Sequence, residues 1–154
     1  MNFGSVLPSL FASTLLLSGC TLASDVTDNG GLYNHYVQYK DQIGSCMAMT
    51  LEGANAFPDS AWLRSLDEPK QKEVVVYLSK YSMQSCFDEK KRSFESMLSK
   101  ESDDVQKIIT EWLELNRKLP RPEGVDEHEL MKLEAQIISP FNAFDVIETL
   151  LEKG

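Results

Sequence analysis

The side chains able to do chemistry in this chain are few and scattered. Its two histidines are His35 and His128. A nucleophilic triad needs a histidine within reach of a serine or cysteine, with an acid to orient it. Ser45 and Cys46 lie on the same expected helix as His35, but about three turns away from it, too far to touch. His128 opens the run His128-Glu129-x-x-Lys132, which puts a lysine where a zinc helix needs its second histidine. No other Cys or His spacing suits a metal, so neither a metal nor a cofactor is expected. The acidic pairs Asp88/Glu89 and Asp103/Asp104 are sequence neighbours that splay around a helix, whereas catalytic carboxylates face one another across a cleft. There is no glycine-rich phosphate loop, since Gly30-Gly31 falls in a stretch that reads as a tether. The expectation is a protein that is not an enzyme.

The three cysteines carry more information: Cys20, Cys46 and Cys86. Cys20 closes an apolar run, Val6 to Leu17, that is too short for a bilayer span of roughly 20 residues. The run fits the middle of an export signal, although Met1 to Pro8 holds no Lys or Arg. Leu17-Ser18-Gly19-Cys20 resembles the lipobox of bacterial lipoproteins. That resemblance implies a signal peptide over 1–19, a lipid-modified Cys20 at the mature N-terminus, and the bilayer as a partner. With Thr21 in place of an Asp after the cysteine, it implies an anchor in the outer membrane, the domain facing the periplasm.

Consuming Cys20 leaves an even pair. In an oxidising compartment Cys46 and Cys86 are expected to form one structural disulfide, the alternatives being two buried thiols or a redox pair. No Cys-x-x-Cys spacing supports redox catalysis.

The elements that would position these residues are helical. Removal of residues 1–19 from 154 leaves 135, one domain with a real core. Residues 20–31 read as a lipidated cysteine and a tether, and 32–154 as the folded domain. Leu32, Tyr36, Tyr39, Ile43 and Cys46 recur at helical spacing. Asp59 can cap a short helix with Trp62 and Leu63, and Asp67-Glu68-Pro69 starts the next. Val74 to Leu78 is β-branched, yet no second strand-like run can pair with it, so helix is preferred. Val74, Val75, Leu78, Ser82, Ser85 and Cys86 then share its inner side, and Asp88 to Arg92 is a charged break. Val105, Ile108, Ile109, Trp112, Leu115 and Leu119 form the cleanest amphipathic stripe. Pro120 to Gly124 is a stiff turn. Leu130, Leu133 and Ile137 mark another helix, and Asn142 can cap a last one. The predicted fold is an all-α bundle of five or six helices with one inter-helix disulfide.

A formal charge of -9 argues against nucleic acid and against adhesion to anionic lipid. The tryptophans and tyrosines are read mainly as core. The organisation of anchor, tether, helices and one bridge is similar to that of the helical pilotins, lipoproteins that escort a secretion pore subunit to the outer membrane. The similarity implies a domain that binds another envelope protein through an apolar groove. Two alternatives stay open: a periplasmic inhibitor or immunity protein, whose acidic surface complements a basic hydrolase or toxin, and a scaffold without a discrete groove.

Overall fold

A computed structural model of the protein describes residues 31–51 and 57–152. Cys20, the leader and most of the tether lie outside the described residues. Among the described residues there are six helices and no strand, the all-α bundle that the periodicity predicts. They are α1 (Leu32–Leu51), α2 (Ala61–Ser65), α3 (Glu68–Leu98), α4 (Asp103–Trp112), α5 (Glu127–Gln136) and α6 (Ala143–Glu152).

The spine is α3, 31 residues without a break. Asp67 caps it by accepting from the Lys70 backbone N–H, and Pro69 sits in the first turn where its missing N–H costs nothing. The charged stretch Asp88 to Arg92 does not interrupt it. It forms a solvated face, with Arg92 paired to Asp88 and Lys91 to Glu95 one turn apart.

Helix α1 lies antiparallel along the C-terminal half of α3. His35 Nδ1 meets Ser93 Oγ at 2.9 Å near one end, and Cys46 is bonded to Cys86 towards the other. The Cα atoms of the bridge are 6.1 Å apart, and Cys46 is fully buried. The Gln42 side-chain amide donates to the Cys86 carbonyl oxygen at 3.2 Å, a second tie across the same seam.

Two apolar cores hang on this spine. Around its N-terminal half, Val75 and Leu78 pack with Leu63 of α2, Leu130 and Leu133 of α5, and Phe141. Around its C-terminal half, Phe94 and Leu98 pack with Tyr39 of α1 and with Leu115. Tyr39 stacks on Phe94 with ring centroids 5.9 Å apart. Each fully buried side chain of this size contributes about 2 kcal/mol.

Several local expectations shift by a residue or a face. Ser60, not Asp59, caps α2, because Asp59 is engaged by Arg64. Ser85 points outward, while Ser82 is buried and donates to the Ser79 carbonyl. The expected stripe to Leu119 ends early, since α4 stops at Trp112. Glu114 turns into the left-handed region at φ 49, with Leu115 N–H bonded to Thr110 O and Glu114 N–H to Glu111 O. This is a Schellman stop with a glutamate where glycine is usual. It drops Leu115 into the core from outside the helix.

Candidate functional surfaces

The residues with chemical potential do not converge. His128 is exposed on the first turn of α5, where its backbone N–H serves the Asp126 cap. Asp88, Glu89, Asp103 and Asp104 are all exposed. No group of three or more His, Cys, Asp or Glu that could hold a metal occurs among the described residues. The fold does bring together one pair that spacing could not reveal, His35 and Ser93, 58 residues apart in sequence. Among the described residues no carboxylate bonds to this imidazole. Ser93 lies inside α3, whose backbone amides are spent on the helix and leave no oxyanion donors. The pair acts as a polar clamp between α1 and α3.

A second polar constellation joins three elements. Tyr77 of α3 donates its hydroxyl to Glu134 of α5 at 2.6 Å. Arg121, in the loop between α4 and α5, donates to that same tyrosine oxygen at 3.2 Å and to Glu134 at 2.5 Å. It also reaches Glu127 at 2.7 Å. Burial pushes the Tyr77 phenol above its ordinary value, the Glu134 contact pushes the same way, and Arg121 opposes. A buried tyrosine kept neutral, with its hydroxyl occupied, is a fastening for the loop.

Binding surfaces are better developed than reactive ones. An open groove of about 460 Å³ runs between α2 and α6. Its floor is Phe57, Leu63, Val146 and Leu150, and its rim carries Asp59, Arg64 and Asp145. Phe57 is fixed by edge-on contact with Phe141 at 5.0 Å between centroids. On α6, Val146, Ile147 and Leu150 pack on the core, but Phe144 stays 78% exposed. The last helix is thus core on one side and apolar surface on the other.

A smaller cleft of about 210 Å³ sits at the start of α1 and the end of α4. Leu32, Tyr36, Phe94 and Ile109 form its floor, with Tyr33 and Trp112 as walls. The aromatic residues therefore divide. Tyr39 and Tyr77 are core as expected, whereas Tyr33 and Trp112 are each 73% exposed. A third cleft, of about 490 Å³, gathers Lys80, Arg117 and Lys118, though Arg117 is already paired with Glu114.

No helix among the described residues is long and apolar enough to cross a membrane. No protein-family model, curated protein or solved structure matches this chain.

Proposed function

We propose that this chain is a lipoprotein held at the outer membrane by an acylated Cys20, whose helical domain binds another protein of the envelope without catalysing a reaction. The groove between α2 and α6 supports this reading most directly. An apolar floor with a charged rim suits the apolar stripe of an amphipathic partner helix. Its walls are held by the larger core, so the groove is formed before a partner arrives and binding spends little on ordering. A pilotin-like accessory role is the concrete form of this reading.

The test uses the full chain with Cys20 intact, tagged at its C-terminus and recovered from membranes in mild detergent. Thr149 lines the groove on the exposed side of α6, so Thr149→Trp fills the groove without disturbing the core. An envelope partner is expected to co-purify at low and high salt and to be lost with Thr149→Trp. A secretin-like pore subunit would identify the pilotin form. Capture of a basic hydrolase that vanishes in high salt and ignores Thr149→Trp would replace this reading with the inhibitor reading. Capture indifferent to both would leave the groove without a role.

A further inference from the structure

The cleft beside Tyr33 and Trp112 differs from the groove between α2 and α6, whose rim is charged. Its lining is wholly aliphatic and aromatic, and it stands where the chain enters the fold, since Leu32 is both the first residue of α1 and part of the floor. Ile108 is 65% exposed and lies one turn before Trp112, which extends the apolar strip along α4. The amphipathic stripe of α4 is thus only half covered: Val105 and Ile109 pack on the second core while Ile108 and Trp112 face out. At about 210 Å³ the cleft falls below the roughly 300–1,000 Å³ of ordinary small-molecule sites.

We propose that this strip rests on the membrane that holds Cys20, with Tyr33, Ile108 and Trp112 set into the headgroup boundary of zwitterionic phospholipid. The proposal rests on the lipidation of Cys20 inferred above. The length of chain ahead of the fold selects this occupant. From Cys20 to Leu32 the backbone spans at most about 40 Å fully extended and about 20 Å as a coil. An acylated Cys20 would therefore hold the strip at high effective concentration beside the bilayer, where even weak apolar contact is realised. The chemistry agrees, because Trp and Tyr carry an apolar body and a polar edge suited to the membrane–water boundary. The charge selects the lipid. Helix α4 has Asp103, Asp104 and Glu111 against one Lys107, and the whole chain is at -9, which disfavours an anionic surface.

Phe94, in the floor of the cleft, and Val75, in the core that supports α2 and α6, are 19 residues apart on α3, about 29 Å along its axis. The groove between α2 and α6 and the membrane strip thus belong to opposite ends of α3.

The chain contains two tryptophans, so Trp62→Phe leaves Trp112 as the sole reporter. The acylated protein is reconstituted into phosphatidylcholine vesicles with plain or brominated acyl chains, and its N-terminus is checked by intact mass. The expected result is co-flotation, emission at shorter wavelength, quenching of Trp112 by brominated lipid, and shielding from aqueous iodide. Ile108→Asp should abolish the quenching by brominated lipid while flotation persists on the acyl chains. Flotation with Trp112 as open to iodide as in the unacylated Cys20→Ser protein in buffer overturns the proposal and leaves the anchor standing. A chain without acyl mass that fails to float removes the anchor, and the proposal with it. A dimer of the Cys20→Ser protein, detected by light scattering and already shielding Trp112 without vesicles, assigns the strip to a second copy and overturns the membrane contact.

Discussion

Replacing both bridge cysteines with alanine should cost this domain about 4–5 kcal/mol. The bridge joins residues separated by 40 in sequence. A loop of that length removes about 13 cal/mol/K from the unfolded chain, or about 4 kcal/mol at 25 °C in the chain-entropy treatment. Cys46 is completely buried, so exchanging its sulfur for hydrogen adds up to about 1 kcal/mol for lost contacts. Tyr39 on Phe94 and Gln42 on the Cys86 carbonyl still tie α1 to α3, so the variant stays folded at ordinary stabilities of about 5–15 kcal/mol. Urea unfolding followed by far-ultraviolet circular dichroism reads both the midpoint and the slope. The slope should steepen, because an unfolded chain without the cross-link exposes more surface. Reducing the wild type with a phosphine should reproduce the loss, and reoxidation should restore it. A loss below about 1 kcal/mol with an unchanged slope would refute the reasoning, since the loop would then contribute nothing to the unfolded ensemble.

Other expectations follow from the same contacts. Burial raises the phenols of Tyr39 and Tyr77, with Glu95 adding to the first and Glu134 to the second. The folded state therefore keeps these protons above pH 10 while the unfolded chain releases them. Their contribution is complete below the ordinary tyrosine range and is lost as pH rises from there through the raised folded values. Urea midpoints from pH 8 to 11 should fall less steeply in Tyr39→Phe and Tyr77→Phe; parallel curves would count against this. Phe94→Ala should cost about 3–5 kcal/mol, while Phe144→Ser on the exposed face of α6 should stay within about 0.5 kcal/mol. Equal effects in thermal melts would contradict the assignment of α6. Gly124 sits at φ +69 with open space around a would-be Cβ, so Gly124→Ala costs about 1 kcal/mol from the backbone alone. A stabilised Gly124→Ala protein would show that the turn relaxes instead.

The helices were legible because periodicity and capping are local. Asp67 and Asn142 cap α3 and α6 as their positions suggest. The disulfide was legible once Cys20 was set aside, since parity and helix phase left one pairing. What sequence could not supply was the identity of the covering surface. The stripe on α4 announces an apolar face, but whether Ile108 and Trp112 meet core or solvent depends on how far α1 and α3 extend beside them. The groove joins segments about 85 residues apart, and the His35–Ser93 and Tyr77–Glu134 contacts span nearly 60 each. Pairings of that range arise only from packing. Asp59 shows the limit at short range too, because a cap-competent acid was drawn off by Arg64.

The division of the interior along α3 has a kinetic meaning. One core gathers α2, α5 and α6 at Val74 to Leu78, and the other gathers α1 and Leu115 at Phe94 and Leu98. They share a helix but no buried side chain, so opening one need not melt the other. Amide exchange should then divide into two cooperative blocks that meet near Ser82, the buried serine between them. A partner seated in the groove would then slow exchange in the block that holds it and leave the bridged block unchanged. In that division the long helix is an axle, with the groove at one end and the disulfide at the other.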